Sequence, residues 1–152
     1  MENNKRYGSE WHWLENGTIA IYAAFDIKNL FYHSKYDSIG KQKTVLGNIV
    51  SPFIYSQIGS TDSAIVIRDN MSYHDINDLY LNVATPPNLR PLVEIIINNT
   101  PLKSFEITNN TIKIKNCFSH IGAYDIRLNG KLQDKQGRIV KRDSLVFQIE
   151  KD

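Results

Sequence analysis

Few residues in this chain have the type and spacing to do chemistry, and each has a plainer use. Asp69, His74, Asp75 and Asp78 place oxygen and nitrogen donors close together, the raw material of a hard-cation site. Their spacing is not that of a calcium loop, and the same residue types cap turns in any polar loop. The turn role is the expected one, and no metal ligand is assigned. The four histidines, His12, His33, His74 and His120, stand far apart. Cys117 is the single cysteine, which rules out an intrachain disulfide, and no flanking pattern marks it as a nucleophile. It reads as a buried or half-buried small apolar residue. Nucleophile elbow, phosphate loop, dinucleotide fingerprint, His-Glu-x-x-His and Cys-x-x-Cys are all missing from the sequence. The chain is therefore expected to be no enzyme, with no catalytic residue and no cofactor.

Aromatic residues are the stronger signal. Trp11 and Trp13 have the spacing of two residues on one face of a strand, and Tyr7 lies just before them. Such spacing points to core packing or a protein interface, since Trp and Tyr are the commonest interface anchors. Stacking on a sugar is the alternative. Phe31 and Tyr32 precede a segment rich in Ser, Asp, Gly and Lys. Tyr7, Trp11, Trp13, Phe31 and Tyr32 are therefore the expected interface residues, with an N-terminal arm over residues 1–14 and a mobile basic loop at 33–43 as docking elements.

The charge balance limits the partner. The net charge is 18 − 16 = +2, too little for a dedicated nucleic-acid binder. The basic residues Lys113, Lys115, Arg127, Lys131 and Lys141 are expected on the solvent face of one sheet, where lysines discourage edge-to-edge pairing. No aromatic residues interleave with them as in a nucleic-acid stacking platform. No export signal and no apolar run long enough to span a membrane occur. The Asn-x-Ser/Thr triplets at Asn16, Asn98 and Asn109 are thus read as turn residues.

The elements that must position these residues are strands. Thr18 to Phe25 alternates, Val93, Ile95 and Ile97 share a face, and so do Leu145, Phe147 and Ile149. Strands are also expected at Val45–Val50 and Phe53–Ile58, split by Ser51-Pro52, at Ser63–Arg68, at Leu79–Val83, around Phe105 and Ile107, and around Ile112 and Ile114. One helical turn is expected near Asp75–Leu79. Pro86, Pro87 and Pro91 cannot lie inside a central strand, so residues 84–91 read as a connection and the best sub-boundary within one domain spanning 1–152. Isoleucine supplies 20 of the 152 residues, in keeping with a sheet protein. The Asn and Ile excess otherwise reads as a matter of coding. Short strands with frequent turn signals predict an all-β antiparallel sandwich.

Gly122-Ala123-Tyr124-Asp125-Ile126, then Asp134, Gly137 and Leu145–Ile149, resembles the last two strands of an immunoglobulin-like domain. In that resemblance Tyr124 is the corner tyrosine, whose hydroxyl returns to an upstream backbone group. Ile126 takes the core position that antibodies fill with cysteine, and Gly137 closes the final turn. The ending is similar to bacterial immunoglobulin-like modules and to the N-terminal domain of phage baseplate upper proteins, over about the last 60 residues. The resemblance implies a structural protein of a phage virion, found in the virion or the cytoplasm. Its partners would be other protein subunits in a large assembly, and it would act by docking as a capsid decoration, tail or fibre-attachment part. The alternative is a carbohydrate-binding or adhesion module. A small hydrolase on a β scaffold is a third reading that no residue supports.

Overall fold

A computed structural model of the chain describes residues 8–26, 29–58, 61–67, 70–102, 106–108 and 110–152. The fold is all-β and sandwich-like. The first four strands, β1 (Gly8–Trp13), β2 (Ile19–Asp26), β3 (Asn29–Tyr36) and β4 (Gln42–Gly47), form an antiparallel meander in that order. The strands that follow are β5 (Val50–Ile58), β6 (Thr61–Val66), β7 (Met71–Tyr73), β8 (Leu79–Val83) and β9 (Arg90–Ile97). The last five are β10 (Thr100–Pro101), β11 (Glu106–Thr108), β12 (Thr111–Ile114), β13 (Gly122–Gln133) and β14 (Ile139–Lys151). They build two five-stranded sheets, ordered β11-β12-β8-β5-β6 and β10-β9-β13-β14-β7. Pairing is antiparallel in both except where β7 runs parallel to β14.

Period-2 alternation places the core. Leu79, Leu81 and Val83 of β8 face inward beside Ile112 and Ile114 of β12, opposite Ile95 and Ile97 of β9, Ile126 and Leu128 of β13, and Phe147 and Ile149 of β14. One continuous cluster of buried side chains draws on all three sheets, because the meander adds Tyr22, Ala24 and Tyr32 to it.

Three hairpins close with the same turn. Gly17, Gly40 and Gly137 all take φ +83, donating to Leu14, Asp37 and Asp134 carbonyls respectively. That is a type I turn followed by a left-handed residue, and a one-residue register shift accompanies each. At Asp134 the carboxylate accepts the N–H groups of Gln136 and Arg138, and these backbone bonds, the one from Arg138 foremost, hold it below the usual carboxylate range. Asp37 accepts from Ile39 and Lys41 in the same way. The segment 33–43, expected as a mobile basic loop, is therefore the β3–β4 hairpin.

Other expectations shift for equally local reasons. Residues 8–13 of the expected arm are a paired strand, the first of the meander. The strand break foreseen at Ser51-Pro52 falls instead at Gly47, where φ is +92 and a Cβ would lie 2.0 Å from the Phe31 carbonyl oxygen. Pro52 stays inside β5 because its carbonyl accepts from Ile67 on the side away from β8. Its missing N–H falls on that same side, just beyond the end of β6. No helical turn forms at 75–79. Buried Ile76 anchors this segment, while Asn77 and Asp78 accept backbone N–H groups from Phe118 and Asn116 across the fold. Asn88, Asn98, Asn99, Asn110 and Asn116 all have positive φ, so part of the asparagine excess has a structural use in left-handed turn positions. Asn98-Asn99 makes the two-residue turn between β9 and β10. No helix among the described residues is long and apolar enough to cross a membrane.

Candidate functional site

An aromatic ladder runs from solvent into the core across three strands. Trp13 is 61% exposed and Trp11 40%. Their rings lie 6.4 Å apart at 16°. Trp11 stands opposite Tyr22 in the β1–β2 register and meets it edge-on at 4.8 Å. Tyr22 in turn meets Tyr32 at 5.9 Å. Tyr22 is fully buried, and its hydroxyl accepts the Thr85 N–H at 2.7 Å and lies 2.8 Å from Ser9 Oγ. Thr85 belongs to the connection over residues 84–89, which crosses from β8 in one sheet to β9 in the other; the expected connection ran to 91, but Arg90 and Pro91 pair with Gln133 and Leu132 as the start of β9. One tyrosine thus ties the meander to the point where the chain changes sheets.

Of the five expected interface residues, the structure brings Trp11 and Trp13 to the surface. They share a side, as their spacing implies, but lie at its solvent end and outside the core. Tyr7 lies outside the described residues. Phe31 is half-buried against the core. Tyr32 is corrected outright: at 1% exposure it is a core residue and can dock nothing. Its phenol is pushed far above the usual range by burial first and by Tyr36 next. It borders a cavity of about 220 Å³ with Gln42, Val45 and Leu132. Leu14, Leu30, Ile39 and Leu46, which sequence reasoning missed, are exposed on the same meander. The Asp-x-x-Gly at 37–40, identical in form to that at 134–137, was the signal that could have placed Ile39 on a hairpin tip.

The fold-signature residues sit together. Tyr124 Oη donates to the His120 carbonyl at 2.7 Å and accepts the His120 N–H at 3.0 Å. Its ring packs edge-on against buried Phe118 at 5.1 Å. Ile126 is buried two residues on, and Gly122 opens the strand with φ +138.

A cavity of about 750 Å³ lies between the two five-stranded sheets. Val83, Ile112 and Val93 line it with Arg90, Lys131 and Arg142. Gly130 floors it, and beside Gly130 the carboxylate of Asp143 accepts the N–H of Ile49. Half-burial raises the Asp143 carboxyl, with the Ile49 bond and Lys141 opposing. A folded value above the unfolded one means that folding is favoured below the unfolded value and loses that favour as pH rises through the folded one. Asp143→Asn, which keeps an oxygen for Ile49, should therefore gain stability over the native chain as pH climbs above about 4. Urea midpoints between pH 3 and 7 measure this, and parallel profiles for the two proteins would contradict it.

The other candidates disperse. His74 pairs with Asp152 at 3.6 Å, and Asp78 with Lys113 at 3.7 Å and the Asn116 N–H, while Asp69 lies outside the described residues. Among the described residues no three metal-ligating side chains come together. The basic stripe is divided: Lys113 belongs to β12 in one sheet, Arg127 and Lys131 to β13 in the other, and Lys141 borders the cavity under Tyr32. Of the Asn-x-Ser/Thr triplets, Asn16 accepts the Thr18 N–H and Asn98 the Asp125 N–H. Asn109 lies outside the described residues.

Cys117 is half-buried, and burial pushes its thiol up to about 12. The thiolate is the reactive form. Native Cys117 should react with a disulfide reagent at pH 8 about a hundredfold or more slowly than the urea-unfolded chain. Equal rates would mean that the burial does not hold in solution.

Comparison with family models, with curated proteins and with solved structures finds no match to this chain.

Proposed function

We propose that the chain is a non-enzymatic structural and assembly protein, a virion component of the phage type that docks other protein subunits through its N-terminal meander. The observation that carries the reading is the Trp13–Trp11 stack, solvent-exposed at one end and rooted in the core through Tyr22 at the other. A rigid aromatic pair of this kind orders little on binding and buries a large area, which is what an interface anchor requires. Among the described residues, six of the ten exposed large apolar side chains fall between Trp11 and Leu46, so the docking surface is assigned to the meander and not to the sandwich.

The sandwich is read as an immunoglobulin-like module. The order β11-β12-β8-β5 corresponds to strands D-E-B-A of that fold, and β10-β9-β13-β14 to C′-C-F-G. The Tyr124 bonds to His120 agree with a corner tyrosine. On this reading the meander is an added layer, and the module acts in the virion or in the cytoplasm where virions assemble.

Light scattering on the purified chain, and co-purification with particles, test the proposal. Self-association or particle capture is expected. Trp13→Ala should weaken it by roughly 30-fold or more, as for an interface hot spot, with an unchanged melting temperature. A second reading uses the same pair. Two nearly parallel indole rings can stack on a sugar face, so a stable monomer with glycan-array hits lost in Trp13→Ala would replace docking by carbohydrate binding.

A further inference from the structure

We infer that the junction between meander and sandwich holds a binding site for a single organic cation, an alkylammonium or guanidinium group, with Asp26 as its counter-charge. Asp26, at the end of β2, is 2% exposed. Ser51 Oγ donates to its Oδ2, while its Oδ1 is buried without a hydrogen-bond partner among the described residues. Buried carboxylate oxygens are among the most costly groups to leave unpaired, and native folds pair them almost without exception. Asp26 and Ser51 border a cavity of about 380 Å³ whose walls come from the meander on one side and the sandwich on the other.

The lining selects the ligand class. Asp26 is the one charged side chain among the described lining residues. A hard metal ion needs six or so oxygen ligands in close array. Among the described lining residues the polar side chains apart from Asp26 are Asn29, Asn48 and Ser51, and the others are apolar, with Phe31, Ile67 and Leu145 prominent. A cationic head on an alkyl stem satisfies both parts. The head gives the free oxygen a charged donor, and the stem lies against the apolar wall as lysine and arginine stems do. The volume lies at the lower end of the range for small-ligand pockets. Exposed Asn29, Leu30 and Asn48 border the cavity and give it a mouth to solvent.

The inference is independent of the Trp11–Trp13 surface. Its test is an amide NMR titration of the full chain with n-butylammonium and n-butylguanidinium, against n-butanol and butyramide as neutral analogues. Saturable shifts confined to Asp26, Asn48, Ser51, Ile67 and Leu145 are expected for the two cations, with dissociation constants on the order of millimolar for ligands of this size. Asp26→Asn keeps an oxygen for Ser51 and should weaken them about tenfold or more. If that variant does not fold, the cation-against-alcohol comparison on the native chain decides alone. Capped Gly-Lys-Gly and Gly-Arg-Gly peptides form a second arm. Tighter binding of the peptides identifies the cation as a protein side chain, and tighter binding of the alkyl cations identifies a free amine. Shifts equal for butanol and butylammonium, retained in Asp26→Asn, or absent altogether would overturn the assignment.

Discussion

Tyr22→Ala is expected to remove about 4–5 kcal/mol of stability. Truncating a buried aromatic residue to alanine costs about 3–5 kcal/mol, and this ring is fully buried between Trp11 and Tyr32. The hydroxyl adds to the loss, because its removal leaves the Thr85 N–H without its acceptor. Against a typical domain stability of about 5–15 kcal/mol, such a change should release the meander from the sandwich or unfold the chain. Tyr22→Phe isolates the hydroxyl and should cost only about 1–2 kcal/mol. Urea unfolding followed by tryptophan emission measures both, since Trp11 loses its ring partner in the first variant and keeps it in the second. A loss under about 1 kcal/mol for Tyr22→Ala would show that the aromatic ladder does not join the two parts.

Gly130→Val should also destabilise, although local preference argues for it. Valine favours strands, and glycine within one is weakening by about 0.5–1 kcal/mol. Space opposes that gain. A Cβ at Gly130 would lie 2.7 Å from Asp143 Oδ1 and 3.1 Å from Ile49 Cβ. Neither neighbour moves freely. Asp143 is held by the Ile49 N–H, and the Ile49 carbonyl accepts the Ala84 N–H. Overpacking of this kind costs about 1–3 kcal/mol, so a net loss of about 1–2 kcal/mol is expected. The injury should centre on Ile49, where the chain leaves the meander and enters β5. Faster hydrogen exchange at the Ile49 and Ala84 amides would locate it. Pairing Gly130→Ala with Asp143→Ser should recover part of the loss, because the nearest clashing oxygen is withdrawn. A stabilised Gly130→Val would mean that the strand preference wins and Ile49 is free to shift.

Much of the fold was legible because strands announce themselves locally. Ile112 with Ile114, Ile126 with Leu128, and Phe147 with Ile149 alternate with polar residues, and alternation assigns faces with no knowledge of neighbours. Turn chemistry was equally local at Asn16-Gly17 and Asp134–Gly137. The hairpin at 37–40 was missed because basic and polar residues around it masked the same Asp-x-x-Gly pattern. Pro52 misled because its cost depends on which side the missing N–H faces, a fact of pairing and not of composition.

The candidate site was half legible. Spacing alone put Trp11 and Trp13 on one side of a strand. It could not say that Tyr32 would be covered, because its ring meets Tyr22 of the neighbouring strand and joins a buried cluster that includes Leu132, which is remote in sequence. Asp26 gave no signal at all, since its meaning arises from Ser51 and from a cavity that exists only once the meander docks.

What the sequence determined by itself is the all-β class, most of the strands with their inward faces, and the turns, since each rests on backbone preference and period within a few residues. What only the tertiary structure decided is which aromatic residues meet solvent, where the basic residues separate between sheets, and where one carboxylate oxygen is buried without a partner among the described residues. Those depend on contacts between residues up to about a hundred positions apart, such as Ile49 with Asp143. Exposure and desolvation are properties of the assembled sheets, and no local pattern encodes them.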